Sequence, residues 1–163
     1  MTTKLFFSIV LLCIGTFLQE FFLSHLALFQ VSPDIMTIFI VFIAITVDQK
    51  SSTSFGFAAG ILTGIFSGNM GLNMLARTIE GFIAGYFHIP EESHATARQK
   101  TRKFYVAILA AGFFGHAVIA AGYNPLGLTP AYRIFILGFL ESLFTLMLAV
   151  ILNWLFLRKS FAD

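Results

Sequence analysis

Glycine recurs every fourth residue from 56 to 64, within the stretch SFGFAAGILTGIFSGNMGLNMLARTIEGFIAGYF over residues 54–87. On a helix that spacing puts Gly56, Gly60 and Gly64 on one face. A face without side chains lets a second backbone approach closely, which is how helices associate in lipid. Ser67-Gly68-Asn69 then reads as a tight turn. A second apolar run starts at Gly71 and carries another small face at Gly81 and Gly85. The stretch predicts a helical hairpin, with Gly56, Gly60, Gly64, Gly71, Gly81 and Gly85 as the positions where a partner helix packs. Arg77 and Glu80 lie inside its second arm. The hairpin marks a membrane protein that packs against something and holds no catalytic machinery.

Composition sets the frame for that hairpin. Of 163 residues, 58% are hydrophobic and 11% charged, and the mean hydropathy is +0.87. Soluble domains carry about 25% charged residues, so the chain reads as an all-α integral membrane protein. A spanning helix takes about 20 residues, which leaves room for six spans, very short loops and no soluble domain. Twenty-one Phe against one Trp and four Tyr point to lipid-facing bulk. Cys13 is the only cysteine, which excludes an internal disulfide and a cysteine metal cluster. Its apolar surroundings predict a buried, inert thiol. Lys4 followed by LFFSIVLLCIGTFL resembles a signal peptide without a small-x-small cleavage site, and reads as a retained first span.

The expected spans are 5–22, 33–47, 53–66, 71–88, 104–122 and 132–157, forming one transmembrane domain over 1–163. Pro33 opens the second span, with Asp34 beside the positive helix end. Asp48 to Ser54 reads as a polar turn, which leaves the third span short. His88 to Lys103 is the one hydrophilic loop. Tyr123-Asn124-Pro125-Leu126-Gly127 is turn chemistry. With a cytoplasmic N-terminus, eight of the ten Lys and Arg residues fall on the cytoplasmic side: Lys4, Lys50, Arg98, Lys100, Arg102, Lys103, Arg158 and Lys159. Arg133 alone falls opposite, and Arg77 lies within a span. That asymmetry places both termini in the cytoplasm.

Ionisable groups inside the spans are the candidate site. On ideal helices Arg77, Glu80, His116 and Glu141 lie about 9–15 Å from the outer end, with Glu20 nearer that surface. A charge at mid-membrane costs about 2.5–3.5 kcal/mol on insertion scales, so these groups should face inward and pair. Arg77 can pair with Glu80 three residues on, or with Glu141 across helices. Two uses stay open: a polar site for a proton, a solute or a partner's helix, and an internal salt bridge that fixes register. If Glu80 and Glu141 flank Arg77, Arg77→Ala strands both. His88-x-x-Glu91-Glu92-x-His94 could be drawn as a metal site, but a solvated loop without supporting residues accounts for it, and no metal or cofactor is expected. The 98–103 basic cluster fits topology and anionic lipid headgroups. No Ser/His/Asp triad, phosphate-cradling loop or nucleic-acid surface is present, so the chain does not read as an enzyme.

A family resemblance emerges from these residues. Pro33-Asp34 before an apolar span, the glycine-rich third span, Gly71-Leu72-Asn73-Met74-Leu75-Ala76-Arg77-Thr78 and Gly81-Phe82-Ile83-Ala84-Gly85 together resemble the MreD family of bacterial rod shape-determining membrane proteins. Length, span count and the Phe144-Thr145 region are also similar. The family often has an acidic residue late in the third span; here Gly64-Ile65-Phe66-Ser67-Gly68 is uncharged. The resemblance implies a non-enzymatic scaffold of cell elongation in the bacterial cytoplasmic membrane. Its implied partners are MreC, through it the MreB filament, and RodA with its penicillin-binding transpeptidase. It further implies that the glycine faces or the polar cluster receive the MreC helix. Substrate-binding subunits of energy-coupling-factor vitamin transporters are similar in outline, and would hold a solute near Glu20, Arg77, His116 and Glu141. Their alanine-x-x-x-alanine face is missing from the first span here.

Overall fold

The segment IMTIFIVFIAIT, residues Ile35–Thr46, is apolar all round apart from two threonines, and such a helix belongs in an interior. A computed structural model describes residues 2–27, 31–90, 93, 95–124 and 127–157, with side chains between 10 and 155 of those ranges. Six α-helices make up the all-α fold: α1 Thr2–Phe21, α2 Ile35–Thr46, α3 Gln49–Ser67, α4 Met70–Gly85, α5 Ala97–Gly122 and α6 Gly138–Leu152. A 3₁₀ turn, Leu23–Leu26, follows α1, and π-helical turns, Tyr132–Leu137 and Asn153–Leu157, flank α6. Helix α2 touches all five of the others, and eight of its twelve residues are buried. Ile38, Val41, Ala44 and Ile45 pack with Phe104, Ala107, Ile108 and Ala111 of α5 and with Ala149 of α6. On its other side Met36 and Ile40 meet Leu12 and Ala59.

Several expected boundaries move, each because a cap outranks composition. Asp34 caps α2, so Pro33 lies outside the helix and not in its first turn. Twelve residues rise about 18 Å, short of the roughly 30 Å hydrocarbon core. Helix α3 starts at Gln49 because the Asp48 carboxylate accepts from the Ser51 N–H at 2.7 Å. Hydrogen bonds from the Ser51 hydroxyl and N–H hold that carboxyl below its usual range. The supposed polar turn is therefore the first part of a 19-residue helix. Helix α5 opens at Ala97 under a Thr96–Gln99 capping box, which puts Arg98, Lys100, Arg102 and Lys103 on a helix and not in a loop.

By length and composition, two helices can cross a membrane: Ala97–Gly122 and the run Tyr132–Leu155. The six expected spans are thus six helices of unequal length. Cys13 is exposed on α1, not buried as its apolar run suggested. His88 Nδ1 lies 3.1 Å from the Ala44 carbonyl oxygen. Glu91, Glu92, His94, Arg158 and Lys159, and the Lys4 side chain, lie outside the described residues.

The glycine hairpin forms, and it closes on itself. Gly68 ends α3 in the left-handed region at φ 75° and returns its N–H to Gly64 O at 3.0 Å. A Cβ on Gly60 would stand 2.5 Å from Met74 Cα, and one on Gly64 2.5 Å from Met70 Cα. One on Gly56 would overlap the Arg77 carbonyl, one on Gly81 the Ser52 carbonyl, and one on Gly85 the Gln49 side chain. Ser52 Oγ donates across the seam to Gly81 O at 2.9 Å, and Gln49 Nε2 to Phe82 O at 3.0 Å. At these five glycines the partner is the other arm of the hairpin, so a second protein's helix has no place there. Gly71 is exposed, with nothing near its Cβ position, and takes no part.

This packing separates two glycines of the same hairpin. Gly60→Ala forces the α3–α4 backbones apart and should cost about 1–3 kcal/mol. Gly71→Ala should be neutral or stabilise by about 0.5–1 kcal/mol through helix propensity. Thermal unfolding of the purified variants in one detergent gives the comparison; equal effects contradict the assignment.

Candidate functional site

The N-terminus of α2 is buried, and four backbone groups there need partners that water cannot supply. Two other helices and the cap residue itself provide them. The Asp34 N–H donates to Thr145 Oγ1 of α6 at 3.0 Å. The Ile35 N–H donates to Gln19 Oε1 of α1 at 2.9 Å, and Gln19 Nε2 donates back to Pro33 O at 3.2 Å. Asp34 Oδ1 accepts from Met36 N at 2.9 Å and Thr37 N at 3.4 Å. Each freed N–H of that first turn is satisfied, so a helix end can sit inside the bundle.

The second oxygen of Asp34 faces α4. Arg77 Nη1 donates to Asp34 Oδ2 in a buried ion pair. The same nitrogen reaches Glu80 Oε2 at 3.0 Å, Glu80 Oε1 at 3.1 Å and Thr37 Oγ1 at 3.1 Å. The Thr37 hydroxyl lies 2.9 Å from Asp34 Oδ2 and 3.2 Å from Glu80 Oε2, with one proton to give to either. Glu80 is fully buried. A Cβ on Gly115 of α5 would fall on its carboxylate, so α5 keeps a small residue where α4 places an acid.

His116 of α5, 2% exposed, adds a third layer. Its Nε2 is 3.9 Å from Asp34 Oδ2, and its Nδ1 is 3.3 Å from Glu141 Oε2 of α6. The Glu141 oxygen lies out of line, so neither ring nitrogen makes a hydrogen bond. Glu141 keeps 29% side-chain exposure and borders a cleft of about 230 Å³ together with His116, Arg133, Tyr123, Val31 and Leu137.

The structure thus joins Arg77, Glu80 and His116 as the sequence suggested, and changes their partners. The carboxylates flanking Arg77 are Asp34 and Glu80. Glu141 instead faces His116, because α6 packs on α2 and α5 and does not touch α4. Glu20, half-buried near the end of α1, makes no side-chain hydrogen bond or ion pair among the described residues. Sequence reasoning missed Asp34 as a cluster member, along with Gln19, Thr37 and Thr145. The available signal was the Asp34–Thr37 spacing, a cap residue with a polar neighbour one turn on.

Asp34, Glu80 and His116 offer potential metal-ligand atoms within 4.8 Å of one another. The Arg77 guanidinium already occupies the space between the two carboxylates, and its charge opposes a cation there. The arrangement is an ion-pair network that ties α2, α4 and α5 together, with one imidazole and one acid left open toward the cleft.

Removing one member of a buried pair leaves an uncompensated charge, which costs about 3–5 kcal/mol. Arg77→Ala should therefore reduce membrane accumulation sharply by stranding Asp34 and Glu80. Gly115→Ala should lose about 1–3 kcal/mol by displacing Glu80, while Glu141→Gln stays within about 0.5 kcal/mol. Immunoblots of membrane fractions and unfolding midpoints check the order; an Arg77→Ala protein that accumulates normally contradicts it.

Comparison with protein-family models, with curated proteins and with solved structures gave no match in any of the three.

Proposed function

We propose that this chain is a multi-pass, non-enzymatic scaffold of the bacterial cytoplasmic membrane, with both termini cytoplasmic, acting in cell elongation. In this proposal it binds MreC, couples through it to MreB filaments, and stands beside RodA and its penicillin-binding transpeptidase. One observation carries the scaffold reading: the motif residues Asp34 and Arg77 are spent on holding helices together, not presented to a substrate. The sequence resemblance at Pro33-Asp34, Gly71–Thr78 and Gly81–Gly85 supports the choice of machinery. The outer surface is apolar, with Phe17, Phe21, Phe135, Phe139, Met147 and Ile151 each more than half exposed, which suits lipid and partner helices.

Since the glycine faces are filled from within, the MreC helix is assigned to this apolar exterior. Arg98, Lys100, Arg102 and Lys103, on the first turns of α5, suit anionic headgroups on the cytoplasmic side.

A tagged protein drawn from native membranes in mild detergent should bring down MreC, RodA or a penicillin-binding protein. Recovery of ATPase subunits with a large transmembrane coupling protein contradicts the scaffold and favours vitamin uptake through a solute site at the cleft.

A further inference from the structure

The cleft beside His116 has no role in the scaffold. It lies between α5 and the π-helical turn that leads into α6, and its rim is the α5–α6 connection at Tyr123, Asn124 and Leu128. About 230 Å³ is room for several waters at about 30 Å³ each. Three polar atoms on its walls lack protein partners. His116 Nδ1, His116 Nε2 and Arg133 Nε are all buried without a hydrogen bond. Arg133 is 7% exposed, and its Nη1 donates to Tyr123 O at 2.8 Å, which fixes the guanidinium at the cleft. Buried polar groups are nearly always hydrogen-bonded, so several orphans around one space indicate water in it. Val31, from the non-helical approach to α2, also lines the cleft. Non-helical backbone at membrane depth is tolerated where it borders such a space.

Charge points the same way. Facing this region are Glu20 on α1, Asp34 at the head of α2, Arg77 and Glu80 on α4, and His116 on α5. Glu141 lies on α6, and Arg133 on the turn before it. Four acids, Glu20, Asp34, Glu80 and Glu141, stand with two guanidiniums: Arg77, which reaches Asp34 and Glu80, and Arg133, which is held on the Tyr123 carbonyl. Uncompensated negative charge at this depth is costly, and protons remove it without displacing Arg77. His116 lies between two of the acids, with Nδ1 3.3 Å from Glu141 Oε2 and Nε2 3.9 Å from Asp34 Oδ2. Neither nitrogen is hydrogen-bonded, so a small turn of the ring or a bridging cleft water completes each contact.

We propose that this cleft is a proton-binding site, in which water delivers protons from the α5–α6 end to Glu141 and His116, and His116 passes them to the Asp34–Glu80 pair. In the transfer, directly once the groups turn into line or through one cleft water, the Glu141 O–H breaks as His116 Nδ1–H forms. His116 Nε2–H then breaks as an O–H forms on Asp34, and the Thr37 hydroxyl relays the proton to Glu80. The ring ends neutral in its other tautomer and resets by proton exchange with cleft water. The proposal rests on the membrane placement proposed above and not on any named partner, so the partner pull-down and this test fail independently.

The test uses the full chain in phosphatidylethanolamine–phosphatidylglycerol vesicles, followed by infrared difference spectroscopy on changes of pH and on transfer to D₂O. A protonated-carboxyl band is expected that titrates and exchanges, with one component missing in Glu141→Gln. A positioned imidazole speeds proton transfer by about a hundredfold, so exchange of the remaining carboxyl should slow by that order in His116→Phe. A band unchanged in Glu141→Gln, equal exchange in His116→Phe, or a divalent cation retained in place of a carboxyl proton each overturn the proposal. A companion variant needs neither acid nor imidazole altered. In a Cys13→Ser background, Leu137→Cys should react with a membrane-impermeant thiol reagent added on the α5–α6 side. Absence of reaction from that side overturns the hydrated cleft.

Discussion

The ion pair between Asp34 and Arg77 lets a helix begin in the middle of an apolar bundle. A helix N-terminus carries a partial positive charge and free N–H groups, both costly where water is absent. Asp34 brings the negative charge and caps two of the N–H groups through Oδ1, while Thr145 and Gln19 take the other two. Asp34 Oδ2 receives the guanidinium of Arg77. Arg77 is in turn divided between Asp34 and Glu80, which fixes α4 against α2. The rest follows from that anchor. Helix α2 can be short, buried and touched by every other helix, and α3 closes on α4 through glycine so that Arg77 keeps its place.

Parts of this design were legible in the chain. The hairpin could be seen from the glycine spacing at 56, 60 and 64, since a period of four has one geometric meaning on a helix. Arg77 and Glu80 stood out because charge in an apolar run demands a partner. The turn at Ser67-Gly68-Asn69 also holds, with Gly68 at positive φ. The choice of partner was not legible. Depth along an ideal helix placed Glu141 level with Glu80 and near Arg77, and nothing in one dimension shows that α4 and α6 do not touch. Asp34 was legible only as an acid beside the positive end of a helix. Its burial depends on α2 being shorter than a span, and apolar composition alone does not report that. The glycine faces were read as docking sites for the same reason: spacing shows that something packs there, not which chain it belongs to.

The division between interior and exterior bears on function. Polar chemistry is concentrated inside, where Asp34, Thr37 and Glu80 gather around Arg77 Nη1, while α1 and α6 present phenylalanine and methionine outward. A protein arranged this way offers surfaces to lipid and to other helices, in line with the scaffold proposed above. At the cleft beside His116 and Glu141 three buried polar atoms, His116 Nδ1 and Nε2 and Arg133 Nε, stay unsatisfied by the chain itself.

The most direct test is a double-mutant cycle on unfolding in detergent, with Asp34→Asn, Arg77→Met and their combination. Residues in direct contact within a buried network couple by about 0.5–3 kcal/mol, and the upper part of that range is predicted here, with the double variant more stable than the single effects imply. Effects that add within about 0.3–0.5 kcal/mol would contradict the account, because α2 would then be held by something other than this pair.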